Sequence, residues 1–417
     1  MVNPKNGVAL ETLGCKLNQA ESESLARQLA ERGCRVVPPS DGAAIYILNT
    51  CTVTHIADRK SRHLLRLAQR RNPGAFIIAI GCYAERAPRE LAQVTGVDMV
   101  LGNEEKARLL DVLEEQGLIS TSSALLPQMH RTRSLVKVQE GCNQFCSYCI
   151  VPLVRGRERS LPLDEAVAEV RARVERGYRE VVLTGTEIGS YRNSPELLIQ
   201  SILIETGVER LRLSSLQPRE ITAGLLSLWQ DSSKRLCRHL HLPLQSGSDA
   251  VLRRMGRRYS TEDYAQAVAR IREAIPDVAI TTDVMVGFPG ETDEDFAESY
   301  RFCQQMAFAN IHVFPYSERP CTPATLMPEK IDELVKKERS EQMLKLARES
   351  ARRFEEQFLG RTMMVLWERE VDDGVWVGLT DNYIRVVAQS KKPLKNWLIP
   401  ARLGGRHNHY LGASFAL

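Results

Sequence analysis

Nowhere in the 417 residues does an apolar run approach the roughly 18 residues needed to cross a membrane as a helix. The longest, Ala75–Ile80, has the length of a buried strand. The amino-terminal stretch MVNPKNGVALE lacks the apolar core of a secretory signal, so the expected location is cytoplasmic. Ten cysteines scattered through a chain this long do not make a disulfide framework, and reduced thiols are expected. Neither sign of charge dominates, at net +4. With 43% apolar and 26% charged residues, the chain reads as a soluble globular protein, and its length predicts two or three domains.

What the sequence does have is GCNQFCSYC at 141–149, which sets Cys142, Cys146 and Cys149 in a C-x3-C-x2-C array. Structural zinc sites pair thiolates as C-x2-C and close with four ligands, and simple 4Fe–4S electron carriers also take four cysteines. No further Cys or His stands at ligand spacing beside this array. Three thiolates can hold an iron–sulfur cubane while leaving one iron open to a substrate, so the array points to chemistry at iron.

Residues 7–115 alternate strand and helix. Strands are predicted at Val8–Leu13, Ile45–Leu48, Phe76–Ile80 and Met99–Leu101, and helices at Ala20–Arg32, Ala57–Arg71 and Arg86–Val94. That alternation implies a doubly wound parallel sheet. Cys15, Cys51 and Cys82 each fall just past the carboxyl end of one of these strands, the edge where open parallel sheets bind ligands. A single cysteine is more often a small buried hydrophobe than a ligand. Three in equivalent positions can converge on one point. Cys34, Cys237 and Cys303 have no such placement and read as structural, while Cys321 lies in a Pro-rich loop with no role assigned.

The expected organisation is an α/β amino-terminal domain over 1–120, a linker over 121–134 and a partial (βα)6 barrel over 135–331. A connecting helix over 332–359 then leads to a small β-barrel of OB-like type over 360–417. Barrel strands are predicted at Leu135–Gln139, Glu180–Leu183, Arg210–Ser214, His239–Leu244, Ala279–Met285 and Asn310–Phe314. The cysteine loop follows the first of these, on the face where barrel chemistry gathers. Residues 374–417 carry six Lys/Arg against Asp381 alone, and further basic clusters stand at Arg155, Arg157 and Arg159 and at Arg253, Arg254, Arg257 and Arg258. Together they suit a phosphate backbone better than chance surface charge. Trp367, Trp376, Tyr383 and Trp397 could stack on bases, although core packing suits most of them.

These features together resemble the methylthiotransferases of the radical S-adenosylmethionine (SAM) superfamily, in particular the branch acting on N6-threonylcarbamoyladenosine beside the tRNA anticodon. The likeness runs almost end to end. It is carried by TLGCKLNQAESE (12–23), NTCTVT (49–54), GCYAE (81–85), QEGCNQFCSYCIVP (139–152), LTGTEIGSY (183–191), LSSLQP (213–218), RHLHLPLQSGSDAVLRRM (238–255), TTDVMVGFPGET (281–292) and HVFPYSERPCTPA (312–324). GCKLNQAE and CSYCIVP favour the threonylcarbamoyl branch. Leu153, Thr186, Glu187 and Cys321 depart from the family pattern without removing a cluster ligand. The segment from Gly360 resembles the TRAM RNA-binding module.

The resemblance implies two 4Fe–4S clusters, one on Cys142, Cys146 and Cys149 that binds SAM and a second on Cys15, Cys51 and Cys82 that delivers sulfur. One SAM would be cleaved to methionine and a 5′-deoxyadenosyl radical, and another would supply the methyl group. Glu187, Ser214, Ser215 and Gln245 are candidate SAM contacts, and Arg155 and Arg157 candidates for tRNA phosphates or the substrate's carboxylate. GFPGET (287–292) either lines the methionine site or is a plain strand-to-helix turn. His239 and His241 are expected to share a strand face in a hydrogen-bonding role. The implied partners are tRNA, through an anticodon-loop adenosine, an electron donor such as a flavodoxin or ferredoxin, and a sulfur source, with no membrane. The competing substrates are N6-isopentenyladenosine in tRNA and an aspartate of a small-subunit ribosomal protein. A non-catalytic iron–sulfur or zinc protein that binds RNA is the reading from another class.

Overall fold

The computed structural model describes residues 7–119, 131–231 and 235–415. Most of the expected linker, residues 121–130, lies outside them. The chain forms two compact units that do not follow sequence order. One comprises Met1–Met129, Glu140–Arg159 and Ser317–Thr325, and the other His130–Gln139, Ser160–Tyr316 and Leu326–Leu417. All six candidate cluster cysteines lie in the first.

The first unit holds a five-stranded parallel sheet in the order Val36–Val37, Val8–Thr12, Ile45–Thr50, Phe76–Gly81, Met99–Leu101. Ile45–Thr50 is buried along its whole length, as a strand covered on both faces must be. Helices Lys16–Glu31 and His55–Arg71 supply part of the covering. The helix expected over Arg86–Val94 is instead two, Cys82–Arg86 and Pro88–Ala92. Pro88 drives the preceding Ala87 out of the helical region, to φ −144°, and the chain restarts at the proline.

In the second unit six parallel strands form two three-stranded sheets. Their orders are Arg210–Leu213, Glu180–Thr184, Arg133–Lys137 and His239–His241, Ala279–Val286, Asn310–Pro315. Single bridges Leu211–Leu236 and Ser215–His241 connect the two sheets, giving the expected open partial barrel. Alternation along Ala279–Val286 sends Ile280, Val284 and Val286 into the main core, beneath helices such as Thr261–Ala274 and Asp293–Met306. Thr281, Asp283 and Met285 take the opposite, inner face. The long helix Glu333–Glu356 adds Met343, Leu346 and Ala347 to the same core. GFPGET is a turn whose Thr292 caps the next helix by accepting from Asp295 N at 3.1 Å, while buried Glu291 accepts from Arg339.

The carboxy-terminal strands Thr362–Asp372, Val375–Thr380, Arg385–Gln389, Leu398–His407 and Tyr410–Phe415 close into a barrel. Trp367 and Trp376 fill its core, Tyr383 stacks on His239 at 4.4 Å, and Trp397 stays exposed. This barrel docks on the amino ends of the parallel strands. Arg212 donates to the Asp381 carbonyl at 2.8 Å, Arg210 to the Leu379 carbonyl at 3.1 Å, and Arg133 pairs with Glu368 at 2.7 Å. Fully buried Glu180 pairs with both Arg210 and Arg212. Burial would raise its carboxyl pKa, but the guanidiniums outweigh that and hold it down at about 2.

Candidate functional site

The strands ending near Cys15, Cys51 and Cys82 are neighbours in the first unit's sheet, with Thr12 level with Asn49 and Thr50 level with Gly81. Their turns are cross-tied by buried polar side chains. Asn18 Nδ2 donates to the carbonyls of Leu13 (2.8 Å) and Thr50 (2.9 Å), the turns entering Cys15 and Cys51. Asn49 Nδ2 donates to the Asn18 carbonyl (3.0 Å). Thr50 Oγ1 donates to the Ile80 carbonyl (2.6 Å) and accepts from Tyr83 N (3.2 Å), fixing the turn at Cys82. Gly14 has φ +98°, and a Cβ there would stand 2.7 Å from Cys51 Cβ and 2.8 Å from its Sγ, so only glycine fits.

Burial pushes the Cys51 thiol up to about 12, and the neighbouring Cys15 and Cys82 raise it further against a backbone hydrogen bond from Val53. Such a thiol becomes a ligand only when a cation replaces its proton.

The second array is a loop in the same unit. Cys142 N donates to the Gly156 carbonyl (3.2 Å), closing the base of the loop, and Cys149 N to the Cys146 carbonyl (3.0 Å), setting those two cysteines on one turn. A Cβ on Gly141 (φ +74°) would overlap the Arg157 carbonyl. Neither trio closes up as a single-ion cage. Tetrahedral zinc at about 2.3 Å from each sulfur needs sulfurs roughly 3.8 Å apart. Among the described residues the one set of three Cys, His, Asp or Glu ligand atoms within 4.8 Å of one another is His241, Asp283 and His312.

Arg155 is corrected from a candidate RNA contact to a buried structural cation. Its side chain is 3% exposed and pairs with Glu21 at 2.9 Å, and it also donates to Asn18 Oδ1. Burial opposes its charge, but Cys82 and Glu21 outweigh that and raise its pKa. Lys106 joins at 2.6 Å from Glu21 and 2.9 Å from Asn103 Oδ1. Asn103 Nδ2 in turn donates to Cys82 Sγ (3.6 Å) and to the Val154 carbonyl (2.6 Å). One buried network therefore reaches from the strand-end trio to the helix that follows the cysteine loop.

Arg157 remains outside this network, its guanidinium 4.3 Å above the exposed Phe145 ring. Cys321 is exposed at φ +64° on the segment Ser317–Thr325. Arg319 anchors that segment to Asp58 (2.7 Å), and Ala324 N bonds the Ser147 carbonyl (2.8 Å).

In the second unit Glu187, Ser214, Ser215 and Gln245 all stand at carboxyl ends of the partial-barrel strands, opposite the docked β-barrel. Ser214 Oγ is buried without a hydrogen-bond partner among the described residues, as is Thr186 Oγ1, so both hydroxyls suit a ligand. Gln245 adopts φ +68°, its backbone bridged to the Ala279–Val286 strand. Of the four arginines at 253–258, Arg254 pairs with Asp295 (2.9 Å) and Arg257 donates to Gln217 (2.6 Å), which leaves Arg253 and Arg258 exposed.

Glu187 pairs with Arg219 at 3.2 Å and hydrogen-bonds Glu220. Burial, with Glu187 beside it, pushes Glu220 up to about 8 despite a backbone bond from Gln217 N. The folded state thus holds a proton that the unfolded chain releases above about pH 4.5, and stability from this group falls as pH rises from there towards 8. Glu220→Gln mimics the protonated form. It is expected to match the parent in thermal unfolding at pH 5 and to exceed it by roughly 1 kcal/mol or more at pH 8. Parallel melting curves at both pH values would contradict the shared proton.

Known proteins are similar to this chain in sequence and in fold. Residues 136–303 match the radical SAM superfamily, and residues 7–102 match the uncharacterized protein family UPF0004. The chain is 36% identical to threonylcarbamoyladenosine tRNA methylthiotransferase MtaB of Bacillus subtilis, over 95% of this chain and 93% of that protein. It is 35% identical to the tRNA-2-methylthio-N(6)-dimethylallyladenosine synthase of Acetivibrio thermocellus, over 89% and 83%. The fold is similar to that of TsrM, a radical SAM methyltransferase from Kitasatospora setae, with a TM-score of 0.56 at 15% identity over 76% of this chain and 77% of that one.

Proposed function

This chain belongs to the radical SAM tRNA methylthiotransferases, and on that premise we propose a substrate, a set of clusters and a site for it. The substrate is N6-threonylcarbamoyladenosine at tRNA position 37 and the product its 2-methylthio derivative. The adenine C2–H is neither acidic nor attached to a leaving group, so acid–base catalysis alone has little purchase on it. Cys142, Cys146 and Cys149 would hold one 4Fe–4S cluster and Cys15, Cys51 and Cys82 a second, which with two SAM per turnover would supply the radical, the sulfur and the methyl group. The observation that carries this reading is the convergence of the strand-end cysteines in the same compact unit as the cysteine loop.

The chain's own residues hold the rest. Asn18, Asn49 and Thr50 fix the strand-end thiols, while Glu187, Ser214, Ser215 and Gln245 offer polar contacts to SAM. An electron donor such as a flavodoxin or ferredoxin and a sulfur source complete the cycle in the cytoplasm.

The choice between threonylcarbamoyl and dimethylallyl substrates is supported by the barrel's inner wall. His241, Thr281, Asp283 and His312 share one face of three neighbouring strands. A dimethylallyl group offers such a wall no hydrogen-bonding partner. A threonylcarbamoyl group brings a hydroxyl, amides and a carboxylate. Nucleoside mass spectrometry of tRNA from cells with and without the gene tests this. Loss of 2-methylthio-N6-threonylcarbamoyladenosine, with its parent accumulating, is expected. Loss of the isopentenyl product would move the enzyme to that branch, and unchanged tRNA would point to the ribosomal-protein aspartate.

A further inference from the structure

We propose that His241, Asp283 and His312 hold a divalent first-row transition-metal ion on the inner wall of the partial barrel, separate from either cysteine trio. The strand register creates the group. His241 is level with Thr281, and Asp283 two residues further along is level with His312 on the next strand. All four side chains therefore leave the sheet on one face. A ligand atom from each of His241, Asp283 and His312 lies within 4.8 Å of the others.

The second layer is in place as well. His241 Nδ1 lies 2.9 Å from Thr281 Oγ1, which fixes the ring and turns Nε2 towards Asp283 Oδ2 at 3.3 Å. Metal-bound imidazoles are characteristically oriented through their other nitrogen in this way. The His241 and Asp283 side chains are 13% and 27% exposed and His312 is exposed. Three protein ligands on one side thus leave the other coordination positions open. Two imidazoles with one carboxylate suit Fe2+, Mn2+, Co2+ or Zn2+ better than Ca2+ or Mg2+.

The role we assign to the ion rests on the substrate reading above. The wall's hydroxyl and imidazoles suit the hydroxyl and amides of a threonylcarbamoyl group, but the Asp283 carboxylate by itself repels that group's carboxylate. A divalent ion held on Asp283 reverses the local sign and offers open positions to carboxylate oxygens. A proton between His241 and Asp283 is the competing way to satisfy the pair.

The test is Mn2+ uptake by the protein carrying its clusters in the oxidised state, followed by loss of the free-ion electron paramagnetic resonance signal. Stoichiometric uptake is expected, weakened by about 10–100-fold or more in His312→Phe and Asp283→Asn. Circular dichroism and cluster absorbance check that the variants fold. No uptake by the parent protein, or equal uptake by both variants, would overturn the site and leave the proton as the bridging cation. No RNA is present, so failure here leaves the substrate reading to the nucleoside analysis.

Discussion

Alanine at Cys146 is expected to abolish reductive cleavage of SAM by the anaerobically reconstituted protein. Alanine at Cys15 is expected to leave that cleavage running and to abolish only methylthio transfer. The asymmetry follows from the separate roles proposed for the two trios, which are held by different parts of the chain. Cys146 is buried in a loop that closes on itself through Cys142 N to the Gly156 carbonyl and Cys149 N to the Cys146 carbonyl. Cys15 belongs to the strand-end trio, fixed by Asn18, Asn49 and Thr50 rather than by that loop. Cys15 is also the better probe than Cys82, which packs against Ile150 and Val154 just after the loop and would disturb both trios at once.

Each loss should reach about 100-fold or more, since even residues one shell beyond the ligands cost 10–100-fold at metal sites. Chromatography of 5′-deoxyadenosine alongside nucleoside analysis of the tRNA separates the outcomes. A Cys15→Ala protein that still methylthiolates at the parent rate would remove the second cluster from the mechanism.

Both candidate trios can be read from the sequence, for different reasons. Cys142, Cys146 and Cys149 are local, and their spacing alone announces them. Cys15, Cys51 and Cys82 are far apart, but each closes an apolar run that reads as a strand, and parallel strands bring their carboxyl ends together. The same rule applied to Met99–Leu101 leads to Asn103, which the structure places against Cys82 Sγ at 3.6 Å. Its polarity hid it among loop residues.

Arg155 was misread because its partner Glu21 stands 134 residues upstream, and nothing local marks that arginine for burial rather than solvent. The wall formed by His241, Asp283 and His312 was only half visible. Alternation put His239 and His241 on one face, but the register that sets Asp283 beside His312 is a property of the folded sheet. The edge strand Val36–Val37 and the closing strand Tyr410–Phe415 are pairing decisions that short or Gly-containing segments do not advertise.

Methionine at Arg155 is the second substitution with a large expected effect, and methionine two residues on, at Arg157, is its control. Arg155 is 3% exposed and Glu21 6%, so removing the guanidinium leaves a buried carboxylate that still has Lys106 beside it. Removing one partner of a buried ion pair costs about 3–5 kcal/mol, and the retained Lys106 contact puts the expectation at the lower end. Asn18 also loses the donor that orients it, and Asn18 pins the carbonyls of Leu13 and Thr50 beside Cys15 and Cys51. Iron held at the strand-end trio should therefore be stripped by a chelator about 10-fold faster.

Arg155→Lys keeps the charge but lacks the fork that reaches Glu21 and Asn18 together, so it should recover part of the stability and little of the iron retention. Arg157→Met loses only a contact over an exposed ring and should melt and hold iron like the parent. Thermal unfolding and timed iron release read the two effects separately. If Arg155→Met and Arg157→Met behaved alike in both, the buried network would have no part in holding the strand-end cysteines.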